Sequence, residues 1–350
     1  MTYSADTYIV QVDPQEPSAH IIALAAQVIQ RGGLVAFPTE TVYGLGANAL
    51  SAEAAARIFS AKGRPANDPL IVHLASADDL PRVAAAVPPL ARLLAEAFWP
   101  GPLTLILPRH DAVPRSVTAG QETVAVRVPS HPVALRLLEA ADLPIAAPSA
   151  NRFSRPSPTA AAHVLADLGG RVDVILDGGS TSIGVESTIV DLTASSPTVL
   201  RPGGIAVEAL REIVPDVQVR RLALPEDGAA PAPGTLLRHY SPDATVTLFT
   251  GDDAAAVNAG IARHAAALLA QGRRCAVLLP DDNRAQLPDE LAVVVLGSSD
   301  EEAAARLFAS LRTLESQVDE ILVRAPRQAG LGRALWDRLW RAAEGRVVQV

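Results

Sequence analysis

Lys62-Gly63-Arg64-Pro65 sets two cations of different shape on either side of a glycine, and Lys62 is the one lysine among the chain's 30 basic residues. An ammonium is a compact point charge and a guanidinium a planar fork, so a lysine kept in an arginine-rich chain suggests a site that suits one and not the other. Around a glycine, which lets the backbone come close, the two could converge on an oligophosphate. The same four residues also suit a helix C-terminus, where a lysine meets the negative end of the macrodipole and a glycine takes the left-handed cap. Both readings stand on these residues alone.

Two further clusters carry oxygen-binding groups. Pro148-Ser149-Ala150-Asn151, continuing to Ser154, Ser157 and Thr159, offers short hydroxyls and amides suited to phosphate or ribose oxygens, although Ser157-Pro158 also reads as a helix cap and first helical residue. Asp177-Gly178-Gly179-Ser180 through Gly184-Val185-Glu186-Ser187-Thr188 is a glycine-rich loop between apolar runs. Arg127 and His73 each interrupt an apolar run and would need a partner if they face inward. A guanidinium at a strand end can grip a carboxylate bidentately, whereas an isolated histidine in such a run is more often a satisfied core residue. There is no G-x-x-x-x-G-K-[ST] motif, so a nucleotide is not held by a P-loop.

The elements that must position these groups follow from periodicity. Ile22, Ala25, Ala26 and Ile29 mark one face of a helix over residues 19–31, ended by Gly32-Gly33. A strand over 34–37 leads into the polar loop Thr39 to Gly46, and Ser51 caps a helix running to about Lys62. Because that loop leaves the C-terminal end of a strand, ligands are expected at the carboxyl edge of the sheet. Apolar runs at 70–74, 103–107, 124–128, 144–147, 172–176, 189–192 and 199–200 read as strands. The last of them lack intervening helices, which predicts a mixed sheet, and a helix over 207–213 closes the domain.

Residues 214–242 carry five prolines and two glycines with little periodicity, and read as a linker. Strands at 245–249, 275–279, 291–296, 321–323 and 347–350 then alternate with helices ending near 270 and starting at 301 and 331. That is a small Rossmann-like α/β unit without a G-x-G-x-x-G fingerprint. The expected fold class is therefore α/β, with domains at 1–213 and 243–350.

A hydrophobic fraction of 49% and 19% charged residues predict folded domains. A net charge of -8 argues against broad electrostatic adhesion to nucleic acid. The segment 1–13 lacks a basic flank and an apolar core, and no apolar run reaches membrane-spanning length, so the cytoplasm is the expected location. The single cysteine, Cys275, sits in an apolar run, reads as core, and excludes an intrachain disulfide or a cysteine zinc cluster.

Taken in order, Pro38-Thr39-Glu40-Thr41-Val42-Tyr43-Gly44-Leu45-Gly46, Lys62-Gly63-Arg64-Pro65, Asn67-Asp68-Pro69-Leu70-Ile71-Val72-His73, Trp99-Pro100-Gly101-Pro102-Leu103-Thr104, Pro148-Ser149-Ala150-Asn151 and Gly184-Val185-Glu186-Ser187-Thr188 closely resemble the threonylcarbamoyl-AMP synthase family in its long form. The resemblance covers the whole chain and implies a YrdC-like catalytic domain with a twisted mixed sheet and flanking helices, a linker that closes over the site, and a smaller Rossmann-like domain. The reaction it implies joins L-threonine, bicarbonate and ATP into threonylcarbamoyl-adenylate, releases pyrophosphate, and leaves a product for proteins that transfer it to tRNA. By the same resemblance Lys62, Arg64, Asn67, Thr123, Ser149, Asn151, Ser157 and Arg201 contact ATP. Thr39, His73, Arg127, the backbone at Ala147, and Ser187 contact threonine, with Arg127 on the carboxylate. Mg²⁺ is expected with the ATP phosphates, its protein ligands unassigned. The linker departs from the family where Thr235-Leu236-Leu237 replaces a Met-Lys-Tyr-like run, so that Leu237 offers apolar cover to the nucleotide in place of an aromatic ring. Two other classes are weighed beside this one. An RNA-binding module is disfavoured by the acidic balance, and a hydrogenase-maturation carbamoyltransferase by the missing cysteine-rich zinc modules.

Overall fold

The computed structural model describes residues 7–220, 232–234 and 239–350. These fall into two compact units: one holds 7–153, 157–220 and 232–234, the other 154–156 and 239–350.

The first unit runs β1 (Tyr8–Gln11), α1 (Ala19–Gln30), β2 (Val35–Pro38), β3 (Tyr43–Asn48), α2 (Ala52–Lys62), β4 (Ile71–His73), α3 (Pro89–Phe98) and β5 (Leu103–Pro108). It continues with β6 (Thr123–Arg127), α4 (Pro132–Ala141), β7 (Ile145–Ala146), α5 (Ala161–Leu168), β8 (Val174–Asp177), β9 (Thr188–Asp191), β10 (Thr198–Arg201), α6 (Val207–Ile213) and β11 (Gln218–Val219). The strands form one mixed sheet in the order β1-β8-β2-β3-β7-β4-β6-β5-β9-β10-β11. Alternate residues of β2 enter different cores: Ala36 joins the cluster with Ile58, Val72 and Val126, while Val35 and Phe37 join the one built on Ile22, Ile29 and Leu137. Both faces of the sheet are thereby covered.

Local signals account for most of these elements. Ile22, Ala25, Ala26 and Ile29 are the buried face of α1. Ser51 caps α2 by accepting from the Ala54 amide, and Gly63 ends it at φ 63°, a conformation that favours glycine. Three strands differ from the sequence reading. β1 has no counterpart in it, β11 falls in the stretch read as linker and pairs parallel to β10, and the supposed loop from Tyr43 is the six-residue strand β3, paired antiparallel to β2 and β7. Its glycines hide it: a Cβ on Gly46 would stand 2.7 Å from the Phe37 ring, so the position is empty because its neighbour fills the space.

The expected carboxyl-edge site also needs correction. β2 and β7 run one way and β4 and β6 the other, so the ends of these strands do not share an edge. The polar groups lie instead on one face. Ile71, Ile106, Ala125 and Ile189 form a small buried cluster with Ala232. By the two-residue alternation of strands, His73, Thr104, Arg127 and Thr123 share that face, and Ser187, which precedes β9, lies two residues before Ile189.

The second unit runs β12 (Thr245–Thr250), α7 (Ala254–Ala270), β13 (Cys275–Leu279), β14 (Val293–Val295), α8 (Asp300–Glu315), β15 (Glu320–Arg324), α9 (Gly332–Ala342) and β16 (Val347–Gln349). All its strand pairs are parallel, in the order β14-β13-β15-β12-β16, as the strand–helix alternation predicts. Asp253 and Ser299 cap α7 and α8 through their side chains. Cys275 is buried, and burial raises its thiol pKa. Tyr240 is buried against Phe308, with the Arg338 guanidinium 5.2 Å from its ring and held by Asp337.

His73 is buried opposite Arg127 in the β4–β6 register, and burial first, then the guanidinium, lowers its pKa from 6.5 to about 3. A pKa depressed in the folded state stabilises the fold above the unfolded value and is lost as pH falls. Between pH 6.5 and 3 the unfolded chain therefore gains a proton that the native chain refuses. Urea melts at pH 7 and pH 5 should show wild type losing about 2 kcal/mol more than His73→Asn. Equal losses would mean that this imidazole is not held neutral.

Candidate functional site

Lys62 is the last residue of α2 and is 3% exposed. Its Nζ donates to the carbonyls of Ser149 and Asn151 at 2.5 Å each, with Asn151 Oδ1 at 3.5 Å. Ser149 Oγ donates to Asn151 Oδ1 at 2.5 Å, which ties the two side chains of that loop together. The helix-end reading of Lys62 and its site reading thus hold together, since Gly63 ends the helix where the ammonium meets the loop.

Arg64, one turn away from Asp68, donates from Nε to the Asp68 carbonyl (3.2 Å) and from Nη2 to the Pro69 carbonyl (2.7 Å), and pairs with Asp68 Oδ1 at 2.9 Å. Arg201, at the end of β10, gives Nε and Nη2 to the Ser187 carbonyl and Nη1 to the Pro233 carbonyl at 2.9 Å. Burial pushes the Asp68 carboxyl up, against the pull of Arg64, Lys62, the Gly234 amide and Arg201. One carboxylate therefore feels three cations, two from the end of α2 and the turn after it and one from the end of β10.

Arg127 anchors a second group. Its Nε donates to the Gly101 carbonyl (3.1 Å), its Nη1 to Thr41 Oγ1 (2.9 Å), and Nη2 stands 2.5 Å from Glu40 Oε1. Thr39 Oγ1 donates to the Val42 carbonyl at 2.7 Å, so Thr41 donates to Thr39 and the hydroxyls form a directed chain from Arg127. His73 lies beside this guanidinium and is neutral at ordinary pH. Ser187 Oγ meets Thr104 Oγ1 at 2.7 Å and also accepts from Arg201.

Backbone pairing draws the separate segments together. The Leu45 amide donates to Pro148, Ala150 to Tyr43, Tyr43 to Pro158, Ile183 to Glu40, Gly184 to Thr41 and Ala147 to Ile71. Gly203 lies so close to the 186–188 backbone that an added Cβ would stand 2.3 Å from the Glu186 carbonyl.

Most of the residues singled out from the sequence have a place here: Ser149 and Asn151 on Lys62, Arg64 and Arg201 with Lys62 acting on Asp68, Ser187 on Arg201, Thr39 in the hydroxyl chain from Arg127, His73 opposite Arg127, and the Ala147 amide on the Ile71 carbonyl. Ser157 Oγ is bonded to Glu186 Oε1 beside them. Thr123 stands apart from this cluster. Thr123 opens β6, four residues from Arg127 and thus about 13 Å along the strand, with its hydroxyl on Gln121. Asn67 is exposed on the turn before Asp68, and Leu237 lies outside the described residues. The sequence reading did not single out Glu40, Thr41, Asp68, Thr104 and Glu186. All five lie inside the segments it quoted, and a carboxylate in a segment destined for burial is the signal that could have found Glu40, Asp68 and Glu186.

Among the described residues no group of three or more His, Cys, Asp or Glu side chains could hold a metal ion, and no helix is long and apolar enough to cross a membrane. The Sua5/YciO/YrdC family model, described as telomere recombination, matches residues 27–203, and a model described as threonylcarbamoyl-AMP synthase, C-terminal domain, matches residues 205–344. The threonylcarbamoyl-AMP synthase of Pyrococcus abyssi is 45% identical over 94% of this chain and 96% of its own length. That of Bacillus subtilis is 41% identical over 96% of this chain and 95% of its own. The crystal structure of P. abyssi Sua5 complexed with L-threonine superposes with a TM-score of 0.92 at 44% identity, covering 98% of this chain and 100% of that one. With both halves of its length matched and relatives aligned nearly end to end, this chain belongs to the threonylcarbamoyl-AMP synthase family.

Proposed function

We propose that this protein condenses L-threonine, bicarbonate and ATP into threonylcarbamoyl-adenylate with release of pyrophosphate, and that proteins acting on tRNA consume the product. The observation that carries the reading is a buried guanidinium beside a hydroxyl chain, together with three buried cations that act on one carboxylate, in the same domain. The family name of relatives spanning the whole chain supports it.

In this reading Arg127 takes the threonine carboxylate, and Thr39, His73, Ser187 and the Ala147 backbone surround the rest of the amino acid. Neutral His73 suits a substrate hydroxyl, because it adds no charge next to Arg127. Lys62, Arg64 and Arg201, with Ser149, Asn151 and Ser157, hold the triphosphate, and Asn67 and Thr123 reach other parts of the nucleotide. Carbamate attack on the α-phosphorus brings an anion against a polyanion, so dense cationic screening and fixed alignment are the main requirements. Mg²⁺ would enter with ATP and offset phosphate charge, since no group of three acidic or histidine side chains among the described residues could hold it. Residues 214–242 act as the linker between catalytic and Rossmann-like domains, and Ala232 to Gly234 cover the floor of the site through Pro233 and Gly234. Leu237 adds apolar cover to the nucleotide.

Pyrophosphate release from ATP, assayed with threonine and bicarbonate each left out in turn, should fall to background in both omissions. Release that ignores threonine would refute the reading. Lys62→Arg, in protein shown to be folded by circular dichroism, should lose about 100-fold or more in turnover, because a planar fork cannot meet three carbonyl oxygens arranged around a point charge. Undiminished turnover in that variant would remove the ammonium from the mechanism.

A further inference from the structure

Glu40 is the least satisfied charged group near the hydroxyl chain. It is 6% exposed, and neither carboxylate oxygen accepts a hydrogen bond among the described residues. Its main chain is fixed, the carbonyl accepting from the Ile183 amide at 2.8 Å. Its charged partner is Arg127, 2.5 Å away at Nη2, yet Nη2 donates no hydrogen bond either. Oε1 is thus held in an ion pair, and Oε2 is the oxygen with no partner at all. Arg127 is meanwhile secured on its other nitrogens by Gly101 and Thr41, so Nη2 is the donor left over. His131, the other ionisable group that senses Glu40, does not supply the missing donor charge: burial lowers its pKa, and its Nδ1 accepts from the Val133 amide.

A buried carboxylate without donors is costly and requires an explanation. Side by side with a guanidinium nitrogen that has donors to spare, it forms the charge complement of an α-amino acid zwitterion. The ammonium of such a molecule has three donors and no acceptor, and its carboxylate has acceptors only. We propose that Glu40 receives the α-ammonium of threonine while Arg127 takes the α-carboxylate. The assignment rests on the proposed role of Arg127. Glu40 thereby selects an α-amino acid over a hydroxy acid of the same skeleton, and holds the nitrogen that must become the carbamate.

The test is a cycle of two ligands and two proteins: L-threonine and 3-hydroxybutanoate, its des-amino analogue, titrated into full-length wild type and Glu40→Gln by ligand-detected NMR. Wild type should prefer threonine by about tenfold or more, the worth of a charge-assisted hydrogen bond, and the variant should lose most of that preference while binding the analogue nearly as before. Equal weakening of both ligands would overturn the proposal, because it would show that Glu40 only steadies Arg127. If Glu40→Gln does not fold, wild type still decides, since an analogue that binds as tightly as threonine leaves no role for an ammonium site. Arg127→Gln separates the underlying reading: unchanged analogue binding there would mean that the carboxylate is held elsewhere, whatever Glu40 does.

Discussion

Four cations, Lys62, Arg64, Arg127 and Arg201, are each more than nine-tenths buried within one domain, and the rest of the site is arranged around that burden. A buried charge is tolerated only when its donors are used. In every case backbone carbonyls do much of this work: Ser149 and Asn151 for Lys62, Asp68 and Pro69 for Arg64, Gly101 for Arg127, Ser187 and Pro233 for Arg201. A carbonyl satisfies an N–H without cancelling the cation's charge. The arrangement therefore stabilises the free protein and keeps positive potential available for anions, which a set of four full ion pairs would not.

Carbonyls can be used this way only where strands and helices have ended, because inside an element they are already bonded. This explains why the cations sit at the ends of α2, β6 and β10, and why the loops that answer them are rich in proline and short polar residues. It also explains the double role of Lys62, whose position at the end of α2 places its ammonium over carbonyls of another loop. The two carboxylates in direct contact with these cations serve different ends. Asp68 gathers the charges of Arg64, Lys62 and Arg201, whereas Glu40 is ion-paired with Arg127.

The second domain handles buried charge in another way. Asp337 pairs with both Arg338 and Arg341, and the ring of Tyr240 lies against Arg338, so that one carboxylate and an aromatic face answer two guanidiniums there.

Much of this protein was legible in the sequence wherever the signal is local. Helix faces follow from a 3.6-residue spacing, caps from Ser51 and Gly63, and the parallel second sheet from alternating strands and helices, since each depends on residues within a few positions of one another. The cationic and hydroxyl residues were visible as residue types, but a lysine before a glycine also ends a helix and a serine before a proline also caps one, so their assignment to a site rested on the resemblance of the whole set of motifs. Tertiary structure alone decided the rest. β3 escaped notice because its glycines fit the Phe37 ring, a neighbour that β2 supplies through pairing. The site lies across a sheet face rather than along a carboxyl edge because β2 and β4 run in opposite directions, which no single segment encodes. The charge state of His73 and the ion pair of Glu40 depend on Arg127, which lies more than fifty residues away in sequence, and on burial by the whole sheet. Residue type set which chemistry was possible, and long-range packing set which groups face one another, because desolvation and distance belong to the folded chain and not to any stretch of it.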